Sequence, residues 1–442
     1  MVYKYNPLLK TNKKGQNKGL EHYNEYQATY IIHQRGNVTI ATPSPETGLR
    51  KYSGTDASTV IQSAIDALPA VGGLIHVKSG TYLLNTRIIL RPGLSLQGEG
   101  FGHPLDTPRT LFKANSTSMT TIFTSLSGKD NKRISLSNFT VDANKLANII
   151  TAIDLFNFND SLVENIRLFR FVTYGIYFRL AEVGFAAWLD TVINVTCIGE
   201  AGAAWGLLTG CSDSYFYSCE IGNSAIRNLA GANVFMNCHQ DHNTNAGVLG
   251  GFDQRASLAV VLMGCVIETN PVGNGISLTL GAGAECKAIL LGNIMHSNTG
   301  YDIYLGNIQK AVVMSNVCNS VTATHSIYCD GASTDNAIMG NSVALPINLT
   351  GGLTYAFGNP GYNPQALSAP AVGASPFTWT NNLGYIVTAY VNGGNVTNLQ
   401  ISRAGGVGWG ILPVTNSTIM LYPSDALIIT YVAAPALIIQ PM

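Results

Sequence analysis

Charge is what this sequence has least of. Of 442 residues only 25 are Lys or Arg and 25 are Asp or Glu, so 11% are charged and the formal net charge is zero, against roughly 25% charged in ordinary globular proteins. Such a chain has no basic field to draw nucleic acid or an anionic membrane surface, and neither is expected as a partner. No stretch approaches the roughly 20 apolar residues of a membrane span. The opening MVYKYNPLLKTNKKGQNKG carries no apolar core of the secretory kind, so the chain is expected to be made and folded in a cytoplasm. Its surface must come from Asn, Ser, Thr, Gly and Tyr, a chemistry suited to neutral glycans or to further copies of itself. The eight cysteines show no zinc-site spacing, and neither a metal nor a cofactor is expected.

What the sequence does have is a repeat. Heptapeptides centred on Asn138, Asn165, Cys197, Cys219, Cys238, Cys265, Asn293, Asn316 and Asn341 share one pattern, at steps of 19 to 32 residues. That period belongs to solenoid coils and is too irregular for a helical repeat. A second apolar register accompanies it at Ile176, Leu207, Ile226, Val248, Ile276, Ile303 and Ile327. Each coil therefore holds at least two short strands. Because four cysteines occupy the repeat position, they are expected as stacked, buried, free thiols, packed in a column with strands about 4.8 Å apart.

Ahead of the repeat, Thr55 or Asp56 caps a short helix with Val60, Ile61, Ala64, Ile65 and Leu68 on one face, stopped by Pro69 and Gly72–Gly73. Two strand-like segments and Gly98–Gly100 follow. This order, with the Asn repeat, resembles the pectate-lyase-like right-handed β-helices over about residues 52–345. In that family the helix covers the open end of the solenoid and the Asn column lies in a turn. After Asn341 the register weakens, residues 357–376 are rich in Pro, Gly, Ala and Ser, and the last 65 or so residues read as antiparallel strands turning at Asn392–Asn395. That end resembles the knobs appended to viral fibre and β-helical spike proteins. The expected fold is all-β: a right-handed parallel β-helix over 51–355 with an N-terminal capping helix, a linker over 356–376 and a small antiparallel β-sandwich over 377–442. Residues 1–50, with the Lys-rich run Lys10–Lys18, are expected as a tether or attachment segment.

Counting three places on from the repeat position places Glu200, Gly222, Asp241, Glu268, His296 and Asn319 in one row. Asp241 and Glu268 then stand one coil apart, about 5 Å, and Glu200 about two coils from Asp241. Retaining glycosidases hold their carboxylates about 5 to 5.5 Å apart and inverting ones about 6.5 to 9.5 Å, so Asp241, Glu268 and Glu200 are the candidate catalytic acids. One place on from the repeat lie Glu220 and His239, and His242 follows in CHQDHN. His239, Glu220, His296, Trp188, Trp205, Tyr215 and Tyr217 are the candidate glycan-binding residues, the aromatic rings offering flat faces to sugar rings. Wet outward-facing polar residues are expected on any solenoid, and that plain reading competes strongly with a site.

The calcium-binding acid cluster of pectate lyases and the Asp-Asp and Gly-His-Gly motifs of polygalacturonases are absent. Fold likeness does not supply a reaction. Three readings follow. The first is a virion tail spike or fibre that binds host cell-surface polysaccharide and cleaves it where the acids permit; resemblance implies a homotrimer joined to the tail or baseplate through the N-terminal segment. The second is a non-catalytic surface adhesin or structural fibre at an extracellular surface. The third is a free polysaccharide lyase or hydrolase. Apolar stretches such as FNFND, GFAAW and YVAAPALII are expected at contacts between copies.

Overall fold

The computed structural model describes residues 28–102, 110–245, 250–255, 259–280, 287–350, 354–359, 369–382, 386–403, 409–412, 417–422 and 424–441. The fold is all-β. A parallel β-solenoid of about nine turns carries three short strands per turn, and a small antiparallel unit lies near the C-terminus. Within one turn, Val260–Met263 forms the first row, Val266–Glu268 the second and Asn274–Thr279 the third. Each strand pairs in parallel with its equivalents in the turns before and after.

Sequence dictates the rows through alternation. Inward positions of the first row hold Phe216, Phe235, Leu262, Leu290 and Val313, and those of the third hold Ile226, Phe252, Ile276, Ile303 and Ile327, all essentially buried. Rings touch along and across the rows: Phe216 stacks on Phe235 at 4.5 Å within the first row, and Phe235 meets Phe252 of the third row edge-on at 5.0 Å. The third-row register is the expected one except in one turn, where Phe252 stands in the column; Val248 lies outside the described residues.

The corner between the first and second rows needs a left-handed residue. It is Asn138, Asn165, Asn194, Ser218, Asn237, Gly264, Gly292, Ser315, Gly340 and Gly358 in successive turns, all with φ between 50° and 63°. Asn and Gly tolerate that region best. In the early turns the corner amides form the ladder, with Asn165 Nδ2 donating to Asn138 Oδ1 at 3.0 Å and Asn194 Nδ2 to Asn165 Oδ1 at 2.7 Å. In the late turns Asn moves one place inward. Asn293 Nδ2 donates to Asn316 Oδ1, Asn316 to Asn341 and Asn341 to Asn359, each at 2.9 Å. Between them Cys219, Cys238 and Cys265 fill the same inward place. The seven described cysteines are free and buried, and burial raises the Cys197 thiol pKa.

This geometry revises the single repeat register. Thr196 pairs with Glu220 and Arg167 with Thr196, so Val195 and Ile166 are the equivalents of Cys219. Cys197 lies two places further on, pointing into the core beside Leu168 and Ile221.

At the N-terminal end, Asp56 caps the helix Ala57–Asp66 by accepting from the backbone N–H groups of Ser58 and Thr59. Its apolar face joins the solenoid core. Gln62 closes the exposed edge of the first third-row strand: its side chain accepts from Ile89 N at 2.7 Å and donates to Ile89 O at 3.2 Å. Part of the expected tether is folded. Tyr30–Arg35 and Val38–Pro43 form a hairpin whose first strand runs parallel to Gly73–Val77, with Tyr30 and Ile32 fully buried. Apolar alternation in YII is what docks it. The Lys-rich run and the rest of residues 1–27 lie outside the described residues.

The solenoid continues to Tyr355–Phe357 and the corner at Gly358–Asn359, and much of the expected linker, residues 360–368, lies outside the described residues. The C-terminal unit has a four-stranded sheet (Phe377–Thr380, Asn395–Ser402, Trp409–Leu412, Ala426–Ala433) and a three-stranded one (Val387–Asn392, Ser417–Leu421, Ala436–Pro441). Val387, Leu399, Leu421, Leu427 and Ile429 from both sheets share its core.

Candidate functional site

The outward side of the second row holds most of the expected site. His239 and Asp241 alternate with Gln240, which points inward and is fully buried. Asp241 pairs with Gly222 on one side and Glu268 on the other, and Glu268 pairs with His296. Asp241, Glu268 and His296 thus form one row across three successive turns, at the strand spacing of about 4.8 Å. Glu220 pairs with His239 in the neighbouring column.

A second left-handed corner fixes where these side chains end. Each row residue is followed by a residue of positive φ: His242, Thr269 and Ser297, at 57°, 52° and 57°. Behind the corner runs a buried polar column. Asn270 Nδ2 donates to Gln240 Oε1 at 3.0 Å and to Asn298 Oδ1 at 2.7 Å. Asn298 Nδ2 donates to Asp302 Oδ1 at 2.9 Å, and Ser320 also bonds Asp302. Burial pushes the Asp302 carboxyl above the usual carboxylate range, opposed by these bonds and by nearby His296. The row is therefore backed by a network that spans the same turns.

Glu268 is the centre of the cluster. His239 Nε2 lies 2.7 Å from Glu268 Oε1, and His296 Nε2 contacts Glu268 Oε2. His242 Nδ1 contacts Asp241 Oδ1. Two carboxylates and three imidazoles so line an open edge, the Glu268 side chain half-sheltered at 19% exposure between more exposed histidines. These groups can accept and donate hydrogen bonds to sugar hydroxyls and can hold or release protons. Among the described residues no group of three such side chains is placed to hold a metal ion.

Glu200 does not join the row. Because Cys197 is two places out of register, the residue in line with Gly222 is Ile198. Glu200 sits beyond it in the turn and pairs with Lys145 Nζ at 2.9 Å. Trp205 is also displaced from its expected use. It is 5% exposed on the third row, beneath the guanidinium of Arg227 at 4.3 Å, so its face is already covered. Tyr215 and Tyr217 are on the first row and stack on each other at 6.0 Å, while Trp188 is half exposed on the loop before Asp190. Glu220 is exposed and accepts from Thr196 Oγ1 at 3.3 Å. The site thus gathers Asp241, Glu268, His239, His296 and Glu220, joined by His242, and leaves Glu200 and the aromatic residues on other elements. The pairing of His242 with Asp241 depends on the left-handed corner at His242, which neighbouring-residue alternation alone does not foresee.

Residues 46–277, more than half of the chain, match the family model described as rhamnogalacturonase A/epimerase, pectate lyase-like. The chain belongs to this family. The match to the pectate lyase-like family includes Asp241 and Glu268. No curated protein matches the sequence. Among solved structures, the A-module of a mannuronan C-5 epimerase from Azotobacter vinelandii is 17% identical, with 70% of this chain and 96% of that one covered and a TM-score of 0.45. The Dettilon tailspike protein is 11% identical, with 88% and 92% covered and a TM-score of 0.49. The gp42 tailspike of Acinetobacter phage vb_AbaP_AS12 is 12% identical, with 83% and 79% covered and a TM-score of 0.44. These are likenesses of architecture.

Proposed function

We propose that this pectate lyase-like protein is a virion tail spike or fibre that binds a host cell-surface polysaccharide across the outward side of its second strand row. The observation that carries the reading is the Asp241–Glu268 pair on adjacent turns, flanked by His239, His242 and His296. A linear glycan laid along the solenoid axis would meet acceptors and donors at each turn, the spacing that polymer recognition needs. Adjacent-turn carboxylates also approach the separation of a retaining glycosidase pair, with one acid delivering a proton to the leaving oxygen and the other attacking or stabilising the anomeric carbon. Tail location follows from this reading; among the described residues no helix is long and apolar enough to cross a bilayer.

A second reading, the non-catalytic adhesin or fibre, draws on the same cluster. Glu268 has both oxygens engaged by imidazoles, which fixes its side chain in place as part of a binding surface. The test is incubation of purified protein with a panel of bacterial and archaeal surface polysaccharides, following reducing ends and unsaturated-uronate absorbance. New reducing ends that vanish in Asp241→Asn and Glu268→Gln support hydrolysis at the row. Absorbance indicates elimination, and binding without either signal supports the adhesin. No binding to any glycan in the panel, by a protein that assembles normally, counts against the site reading.

A further inference from the structure

The first strand row has an outward side that is as apolar as its inward side. In successive turns its two outward columns hold Val234 and Met236, Val261 and Met263, Ile289 and Leu291, Val312 and Met314, and Ala337 and Met339. Beyond the left-handed corner, the adjoining column of the second row continues with Val266, Ile294 and Val317. Ile289, Ile294 and Val317 are 43%, 43% and 39% exposed, and the others are half-buried. None of these thirteen positions carries a charge or a hydrogen-bonding group.

With Tyr215–Tyr217 at its lower end, the stripe spans six turns, about 25 Å, and three columns, about 15 to 20 Å. Its footprint is on the order of 400 to 500 Å², the size of the largest apolar patch on a typical monomer, which is often functional, and about half of the roughly 800 Å² each partner contributes to a standard stable interface. Its edges are polar, with Lys287, Lys310 and Asp335 exposed along one side and Glu268 and His296 along the other. A dry centre with a charged rim is the anatomy of a protein contact.

We propose that this stripe packs against a second copy of the same chain. The stripe repeats once per turn, so an equivalent stripe of another copy meets it with the same spacing and the same Val, Ile and Met side chains, a match open to copies related by closed symmetry. It offers no charge with which to select an unlike partner. The expected apolar contacts fall elsewhere: Phe158 of FNFND is core, whereas Trp188 of GFAAW and Val432 and Ile438 of YVAAPALII are exposed on other elements. The stripe adjoins the candidate glycan site at Glu268 and His296, but none of its thirteen positions is one of the row's titratable groups, so the two readings are tested separately.

The test is the solution mass of the full chain by light scattering over a micromolar concentration series. Wild type is expected as an oligomer, and Met263→Lys with Met314→Lys as a folded monomer with unchanged circular dichroism. Tyr304→Lys, on the third row, should keep the wild-type mass. If the double variant does not fold, Ile289→Lys, at one of the two most exposed of the thirteen positions, gives the same readout. A monomeric wild type, including one whose stripe is protected from hydrogen exchange by another part of its own chain, overturns the proposal, as does an oligomer that survives both sets of variants. Loss of glycan binding with the oligomer intact would count against the site reading alone.

Discussion

The outward sides of the third and first rows are built from the same kind of strand and finished in opposite ways. On the third row the chain covers itself. Arg227 lies over Trp205 and pairs with Asp253 at 3.0 Å, Arg255 pairs with the same carboxylate at 2.8 Å, and Tyr301, Tyr304 and Tyr328 stack on one another at 4.7 to 5.7 Å. Each of these groups has an intrachain partner. On the first row Val, Ile and Met point outward and stay half-buried to exposed among the described residues. A solenoid strand buries only half of its side chains in the core, so the other half must meet water, the same chain or another molecule. The third row takes the second course, and the first row is left for the third.

The largest effect should come from breaking the self-covered side. Asp253 is fully buried and shared by two arginines that are about 30% exposed. Asp253→Ala leaves two guanidiniums without their carboxylate and opens the space over Trp205. A loss of about 3 kcal/mol is expected, at the low end for a broken buried pair because the arginines keep part of their hydration. Urea unfolding of the assembled and dissociated protein measures it. A change below about 1 kcal/mol would mean that this side is decoration.

Next in size is the corner that separates the rows. Gly292 has φ 63° and open space where a Cβ would stand, so Gly292→Ala tests backbone strain alone. About 1 kcal/mol is expected from left-handed geometry, and Ser315→Gly at the equivalent corner should be neutral or stabilising. Equal effects in the two directions would remove the corner from the account of why the rows hold register.

A smaller, pH-dependent effect is expected behind the candidate site. Asp302 has its pKa raised by burial, so the folded state holds the proton more tightly than the unfolded chain. Its contribution is fully present below the unfolded pKa of about 3.9 and is lost as pH rises through the folded value. Asp302→Asn should flatten that decline in a series of unfolding curves above about pH 4, with little change at the outward Glu268. An unchanged pH slope would place the decline on other groups.

Period, strand rows and capping helix were legible because they rest on local chemistry: apolar alternation, an Asp cap followed by Ser and Thr, and Asn at a repeating place. The register was only partly legible because Asn does two jobs. At Asn138, Asn165 and Asn194 it supplies a left-handed backbone, and at Asn293, Asn316 and Asn341 it supplies an inward amide ladder one residue later. One letter in two adjacent columns reads as one column, and the intervening cysteines hide the step. That displacement moved Glu200 into a row it does not occupy, whereas Asp241, Glu268 and His296 lie within the well-registered stretch after Cys219 and were placed together. The apolar stripe left a signal of its own. VFM, VVLM, AILL, VVM and AIM are apolar at every position where a half-wet strand should alternate.

The smallest expected effect sharpens the comparison most closely, because it uses two neighbouring residues of the same type. Val312 faces outward in the stripe and Val313 faces the core, fully buried. Threonine has the same shape in both places and adds one hydroxyl. Inside, that hydroxyl has no partner, and Val313→Thr should cost about 1 to 3 kcal/mol. Outside, in the dissociated chain, water satisfies it and Val312→Thr should change unfolding by no more than about 0.5 kcal/mol. In the oligomer the same outward substitution places the hydroxyl in a dry contact, so its cost should appear as weaker association at unchanged chain stability. If Val312→Thr alters neither unfolding nor association, the first row's outward side meets water, and its apolar columns are tolerated there without a partner.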